Sequence, residues 1–215
     1  MSSFGGIPFN QAPGTRQDER IGRVQDQASR ARELPARDAW VLGSVPMGLV
    51  LADQQILSAE LIRFYYLGQF QKELHLKQAR LNITTAAASQ TVRTALYRYD
   101  TGENLTGAKS VRRLVKQADS EAKFLATSAG VQTITLPDGA AATPGAIFLG
   151  VKASNDAVGV GGVAQAAVSR AMPFYTFQDQ VGVLAPVVDF PALTKSYTGV
   201  LLDVLYISPD AAQVL

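Results

Sequence analysis

The amino-acid sequence predicts a mainly β protein, an antiparallel β-sandwich preceded by an extended N-terminal arm with one helix. Three observations support this prediction. Residues 57–84 alternate between apolar and polar side chains with the period of two that is typical of strands. Further strand-like segments, separated by turn residues, follow at the spacing of a sandwich. Residues 1–14 contain too little apolar surface to fold alone. We therefore predict an anchoring arm over residues 1–38 and a β domain over residues 39–215.

The amino-acid composition indicates which kinds of partner the chain can bind. Charged residues make up 18% of the 215 residues, below the roughly 25% usual in globular domains. The formal net charge of +2 gives no concentrated basic surface, which argues against binding to nucleic acid or to an anionic membrane. No cysteine is present, so disulfides and thiolate metal sites are excluded. We also expect no signal peptide and no membrane span, and we expect protein partners.

The first part of the arm is rich in Gly, Pro, Ser and Asn, yet it carries Phe4, Ile7 and Phe9. Such a segment can be a disordered leader. Alternatively, these three apolar residues dock onto a neighbouring subunit.

The second part of the arm predicts a helix of about five turns. Thr15 and Asp18 resemble a capping box, and Pro35 marks the end of the helix. Its apolar stripe is thin, so the helix needs a partner surface or copies of itself. Six arginines are nearly balanced by five acids, which favours a solvated face over a nucleic-acid site. The stripe consists of Ile21, Val24, Ala28 and Ala31.

Residues 39–51 predict a hinge and the first strand, with Trp40 covering either the entry to the core or a subunit contact. The following stretch, residues 57–84, predicts the opening strands of the sheet with a break at Gly68. Downstream, residues 119–127 fit either a helical turn or a bulged strand. Residues 154–168, including GVGGVA, predict a flexible loop. Further strands are expected at 91–99, 110–117, 131–136, 146–153, 174–177 and 199–207.

Residues that could catalyse a reaction or bind a metal or cofactor form no recognisable site motif in the sequence. His75 is the only histidine and lies within a predicted strand, so we expect an ordinary sheet residue and no metal site. Gly159, Gly161 and Ala164 match the spacing of a dinucleotide fingerprint but lack an abutting strand, so we expect no cofactor. The carboxylates, such as Glu121, are scattered along the chain. The sequence therefore predicts a protein that is not an enzyme.

Four segments together carry a resemblance: RFYYLGQFQKELHLKQARLNI, TALYRYDTGENL, VQTITLPDGAAATPGAIFLGVKAS and GVLLDVLYIS. Over residues 45–210 their order resembles the jelly-roll modules of tailed-bacteriophage virions, which include head decoration or cement proteins, head fibres and tail accessory proteins. This resemblance implies a jelly roll that assembles, commonly as a trimer, with the arm anchoring it to the particle. Residues 1–40 match no family motif.

The resemblance implies a structural virion protein, assembled in the host cytoplasm, that binds the major capsid protein on the outer capsid surface and stabilises the shell. An alternative is a tail or fibre module that binds a host-surface glycan through loops 100–107, 139–145 and 154–162, with Tyr97, Tyr99 or Tyr175 stacked on sugar. A hydrolase would require a convergent carboxylate pair. The expected assembly contacts are Phe4, Ile7, Phe9, Ile21, Val24, Ala28, Ala31 and Trp40.

Overall fold

The computed structural model describes residues 40–43, 53–101, 112–164, 173–179 and 183–208. The predicted arm and its helix lie outside these residues, as do the side chain of Trp40 and the arm contacts from Phe4 to Ala31. The described part contains seventeen strands and a short 3-10 helix at Phe190–Ala192. The strands are β1 (Trp40–Gly43), β2 (Asp53–Ile56), β3 (Leu61–Phe70), β4 (Leu74–His75), β5 (Gln78–Thr85), β6 (Thr91–Asp100), β7 (Arg113–Lys116), β8 (Ala122–Leu125), β9 (Gly130–Thr135), β10 (Ala141–Ala142), β11 (Gly145–Ala153), β12 (Gly159–Ala164), β13 (Phe174–Gln178), β14 (Val187–Asp189), β15 (Thr194–Ser196), β16 (Val200–Leu202) and β17 (Val204–Ser208).

Two antiparallel sheets account for most of these strands, which confirms the prediction of a mainly β, antiparallel fold. Within the described residues, sheet A has the order β1-β17-β5-β12-β16, with β2 beside β12 and β9 beside β5. Sheet B has the order β14-β7-β6-β11-β3-β13-β15, with β8 beside β6. The short strands β4 and β10 pair separately with each other. Strand β11 is central to sheet B, between β6 and β3.

The larger hydrophobic core lies between the two sheets. Leu81 and Val160 from sheet A belong to the same buried cluster as Leu96 and Leu149 from sheet B. These residues alternate along their strands with residues that point the other way, as the pleat of a strand requires. Burial of this apolar surface is the main favourable contribution to folding.

One polar bridge crosses this core. Tyr206 on β17 is fully buried, and its hydroxyl donates to the Ser120 carbonyl at 2.8 Å. Thr94 on β6 lies 2.9 Å from the same hydroxyl and donates to it, since the phenolic hydrogen is already used. Burial raises the pKa of Tyr206 by disfavouring the phenolate. The bridge therefore ties sheet A to sheet B and to the turn at Ser120.

A second, smaller core covers the opposite face of sheet B. It contains Phe64 and Tyr97 from the sheet together with Leu184 and Val188 from residues 183–193, which we call the covering segment. Sheet B is thus buried on both faces, which explains why β3 and β6 are apolar on both sides. The covering segment is attached through backbone hydrogen bonds from Lys116 N to Pro186 O and from Phe190 N to Arg112 O, both 2.8 Å long.

The structure corrects two details of the strand predictions. At Gly68 we expected a break, but β3 continues to Phe70, and the register with β11 shifts at this position. Gly68 has φ of 142°, a conformation that a residue with a side chain rarely adopts, so it forms a bulge within the strand. For residues 119–127 the sequence left a helical turn and a bulged strand open, and the structure shows a strand, β8, which pairs with β6.

The prediction of a flexible loop at GVGGVA was wrong. Residues Gly159–Ala164 form strand β12, which pairs with β2, β5 and β16. The glycines permit close packing rather than mobility. A Cβ atom at Gly161 would lie 2.8 Å from the Asn82 side chain, and one at Gly162 would collide with the Leu201 carbonyl. Neighbouring strands therefore occupy the space that side chains would need.

Both ends of the described sandwich lie at one edge of sheet A. Strand β1 pairs antiparallel with β17, so that Trp40 lies opposite Ser208 and Gly43 opposite Leu205. Residues 40 and 208, the two ends of the described sandwich, therefore lie opposite each other. Strand β1 lies within residues 39–51, where the sequence predicts a hinge and the first strand, and residues 44–51 of that range lie outside the described residues.

Candidate functional site

Five aromatic side chains form one contiguous cluster on the outer side of sheet B. We call it the aromatic face: Tyr66, Tyr99, Phe148, Tyr175 and Phe190. Strands β3, β6, β11 and β13 each contribute one ring from residues that point away from the larger core. The fifth ring, that of Phe190, comes from the 3-10 helix of the covering segment.

Phe190 connects the other rings of the aromatic face. Its ring centroid lies 5.1 Å from that of Tyr99, 5.3 Å from that of Tyr175 and 6.2 Å from that of Phe148. Tyr66 extends the cluster through Phe148, with centroids 5.3 Å apart. Tilted and edge-to-face contacts at these distances are favourable beyond the area that they bury. The rings are therefore held in a fixed arrangement while all except Phe148 remain partly open to solvent.

A positively charged side chain, that of Lys195, lies beside the aromatic face at the edge of sheet B next to Tyr175. Lys195 on β15 is the register partner of Tyr175, and its ammonium lies 4.7 Å from the centre of the Tyr197 ring. Hydrogen bonding to Tyr197 raises the pKa of Lys195, and the hydroxyl of Tyr175 acts in the same direction. Lys195 is therefore charged at neutral pH, next to an aromatic surface.

Of the three tyrosines predicted for sugar stacking, Tyr99 and Tyr175 lie together in the aromatic face. Tyr97 does not, because it is fully buried. Its ring meets Phe64 edge-on at 5.0 Å, and its hydroxyl donates to Ala185 O at 2.8 Å. Burial raises the pKa of Tyr97, and the nearby carboxylates of Glu121 and Asp179 raise it further. A stacking role for Tyr97 is therefore wrong, and its hydroxyl instead holds the covering segment.

The Phe64–Tyr97 pair depends on the glycine opposite it. A Cβ atom at Gly150 would lie 2.6 Å from Tyr97 Cε2 and 3.1 Å from Phe64 Cε1. Gly150 lies on the central strand β11, so neither ring can move away without disturbing the second core. The absence of a side chain at this position thus creates the space for both rings.

Charged side chains near the covering segment form a separate network. Glu121 accepts from Arg93 Nη1 at 2.5 Å and from Lys116 Nζ at 2.7 Å, using both carboxylate oxygens. Lys116 Nζ also lies 3.4 Å from Leu184 O. Burial alone would raise the pKa of Glu121, but the hydrogen bonds and charges of Lys116 and Arg93 outweigh it, so the pKa is lowered. A carboxylate held in this way is a poor proton acceptor near neutral pH, and its effect is structural.

A second ion pair lies deeper. Lys152 on β11 is 1% exposed, and its ammonium lies 3.5 Å from the Asp179 carboxylate. Asp179 also donates its backbone N–H to Glu60 O at 2.9 Å, which fixes the end of β13. A buried lysine requires such compensation, because an unpaired buried charge is strongly unfavourable.

The remaining predicted sites do not converge. His75 is an exposed residue of the short strand β4, in agreement with its expected place in a sheet. Of the proposed glycan-binding loops, 100–107 is described only at Asp100 and Thr101. The loop proposed at 154–162 ends in β12, whose glycines are buried. Loop 139–145 contains strand β10 and the buried Ala140.

The described residues contain neither a candidate metal site nor a candidate membrane-spanning helix. No group of three or more His, Asp or Glu side chains that could hold a metal ion occurs among them. Within the same residues, no helix has the length and hydrophobicity needed to cross a membrane.

Sequence reasoning did not identify Tyr66, Phe148 and Phe190 as members of one cluster. The available signal was the two-sided apolar character of LIRFYYL in β3 and of AIFLGV in β11, which indicates strands buried on both faces.

Comparisons with known proteins identified no relative of this chain. No protein-family model matches the chain, no curated protein matches its sequence, and no solved structure matches its fold.

Proposed function

We propose that this chain is a structural virion protein of a tailed bacteriophage, a decoration or cement protein that binds the outer capsid surface through its N-terminal arm. In this proposal the sandwich is a jelly roll, the chain assembles as a trimer, and the major capsid protein is its partner. Many copies that clamp neighbouring capsid subunits stabilise a shell, since each binding event adds to the stability of the bound state.

The observation that supports this proposal best is the pairing of β1 with β17. The described body begins at Trp40 in a strand at the edge of its sheet, directly opposite Ser208. In this proposal, an arm that precedes Trp40 anchors the body through that edge strand. The low content of charged residues, 18%, fits a surface that is partly covered by neighbours.

The proposal can be tested with two forms of the arm. A full-length variant that carries Phe4→Ala, Ile7→Ala and Phe9→Ala removes the apolar side chains that would dock, and a truncation removes residues 1–38. Native mass by light scattering gives the oligomeric state, and sedimentation with undecorated phage capsids measures binding. We expect a trimer that co-sediments, and we expect both arm variants to remain folded but to lose co-sedimentation.

Leu125→Ala is a matched control, because Leu125 is an exposed apolar residue of the body rather than of the arm. It should co-sediment like the unmodified chain. Unchanged co-sedimentation of both arm variants would refute anchoring by the arm. An unfolded truncation product would show that residues 1–38 belong to the core of the β domain.

A second candidate function is that of a tail or fibre accessory module that binds a host-surface glycan. The specific observation in its favour is that Tyr99 and Tyr175, two of the residues expected to stack on sugar, lie in the same aromatic face. Binding to host-surface glycan without affinity for capsids would favour this candidate over decoration.

A further inference from the structure

We propose that the aromatic face, together with Lys195 and Tyr197 at its edge, binds an acidic glycan. Sugar rings would stack on Tyr99, Tyr175 and Tyr197, and the Lys195 ammonium would pair with a sugar carboxylate. This inference rests on the second candidate function and names its site and ligand class. Nothing in it depends on the arm.

The rings are ordered before any ligand arrives. Phe190 fixes Tyr99 and Tyr175 from between them, with centroids 5.1 and 5.3 Å away, and Phe148 supports Tyr175 from below at 6.0 Å. Binding to side chains that are already fixed avoids the cost of immobilising them, which is about 0.5–1.5 kcal/mol for each flexible side chain. A rigid surface of this kind suits a ligand that offers flat, weakly polar ring faces.

The size of the surface favours a small ligand over a protein. Aromatic side chains have areas of about 150–250 Å² each, and four rings of the face are only partly exposed, so together with Tyr197 they offer on the order of 250 Å². A stable protein–protein interface covers about 800 Å² on each partner. Tyr197 is 53% exposed and is the only aromatic side chain of the described residues that stands largely in solvent. A few sugar rings would fill this area.

The charges select an acidic ligand. Lys195 is exposed and forms no ion pair with a carboxylate of the described residues. At the far side of the face, Asp100 is compensated by Arg113, whose Nη2 lies 3.1 Å away. The exposed Asp189 directly precedes Phe190 in the covering segment, and the described residues show no ion pair between Asp189 and Lys195. The Lys195 edge is therefore the cationic end of the surface and complements a carboxylate.

The test uses the full chain and three tetrasaccharide probes: oligosialic acid, oligogalacturonate and neutral maltotetraose. Isothermal titration calorimetry should show that at least one acidic probe binds more tightly than maltotetraose. Tyr197→Ala and Lys195→Ala should each weaken that binding about tenfold, as expected for one aromatic or cationic contact. Lys195→Ala should also remove the preference for the acidic probe. Lys72→Ala removes an exposed lysine outside the face and should have no effect.

Tyr175→Leu keeps an apolar side chain but removes the stacking ring, and it should also weaken binding about tenfold. If the circular dichroism of Tyr175→Leu shows that this variant is unfolded, the test of glycan binding rests on the variants at the two exposed positions, Lys195 and Tyr197. No binding of either acidic probe at millimolar concentration would overturn the proposal. So would binding that Tyr197→Ala and Lys195→Ala leave unchanged.

The outcome is independent of the capsid experiment. If Tyr197→Ala or Lys195→Ala abolishes capsid co-sedimentation while no acidic probe binds, the face is a protein contact and the glycan proposal is wrong. If acidic probes bind and the arm variants still sediment with capsids, the arm proposal fails while the glycan site stands.

Discussion

Replacing Tyr206 by phenylalanine tests whether the buried hydroxyl joins the two sheets. The substitution removes one oxygen and leaves the ring in place. Two hydrogen bonds are lost, those to Ser120 O and from Thr94, at 2.8 and 2.9 Å. Each contributes about 0.5–1.5 kcal/mol net, and a buried carbonyl left without a partner costs about 1–3 kcal/mol. We expect Tyr206→Phe to lower the free energy of unfolding by about 2–3 kcal/mol.

Urea unfolding followed by circular dichroism measures this change as a lower midpoint with an unchanged slope. Tyr197→Phe is the matched control, because it removes the same oxygen from an exposed ring, and it should change stability by less than about 0.5 kcal/mol. A double-mutant cycle with Thr94→Val isolates the pair and should give a coupling energy of about 1 kcal/mol. A loss below about 0.5 kcal/mol in Tyr206→Phe would refute the bridge.

Three further predictions concern packing and pH. Gly150→Ala should destabilise the fold by about 1–3 kcal/mol through overlap with Tyr97, as measured by urea unfolding; an unchanged midpoint would contradict the close packing. Because the pKa of Glu121 is lowered in the fold, its contribution is complete above the unfolded value of about 4.3 and is lost as the pH falls below it. Acid unfolding followed by fluorescence should therefore show a smaller decline in Glu121→Gln than in the parent chain, and equal declines would refute this role. The pKa values of the buried tyrosines Tyr65, Tyr97 and Tyr206 are raised, so stability should be complete below about pH 10 and fall above it. Tyrosinate absorbance should show three of the seven tyrosines ionising only as the chain unfolds, and early ionisation of all seven would contradict their burial.

Strands that are rich in β-branched and aromatic residues and end at turn residues could be predicted from sequence. The composition of residues 91–99, followed by a turn, places β6 within one residue of its observed end. The same rule failed at Gly159–Ala164, because a strand buried on both sides by its neighbours needs small residues and shows no alternation. Glycine alone cannot distinguish a mobile loop from a close approach between strands. That distinction depends on Asn82 and Leu201, which are far away in sequence.

The aromatic face could be predicted only in part. Tyr99 and Tyr175, two of the three tyrosines that the sequence offers for stacking on sugar, lie together in the aromatic face. Tyr97 has the same residue type two positions earlier in the strand, yet it lies beneath the covering segment. Sequence could not show this, because the covering segment begins more than eighty residues later and its packing on sheet B is a tertiary contact. Phe190, which connects the rings, lies in a Pro-containing stretch without strand periodicity.

The antiparallel pairing of Trp40 with Ser208 determines how the sandwich responds to mechanical load. A force directed along β1 loads its hydrogen bonds to β17 in shear, so that the bonds share the load. A pull that separates the two ends of the sandwich from each other acts across the same pair, and the bonds open one after another from Trp40 inwards. The same four residue pairs therefore form a strong joint in the first direction and a weak one in the second.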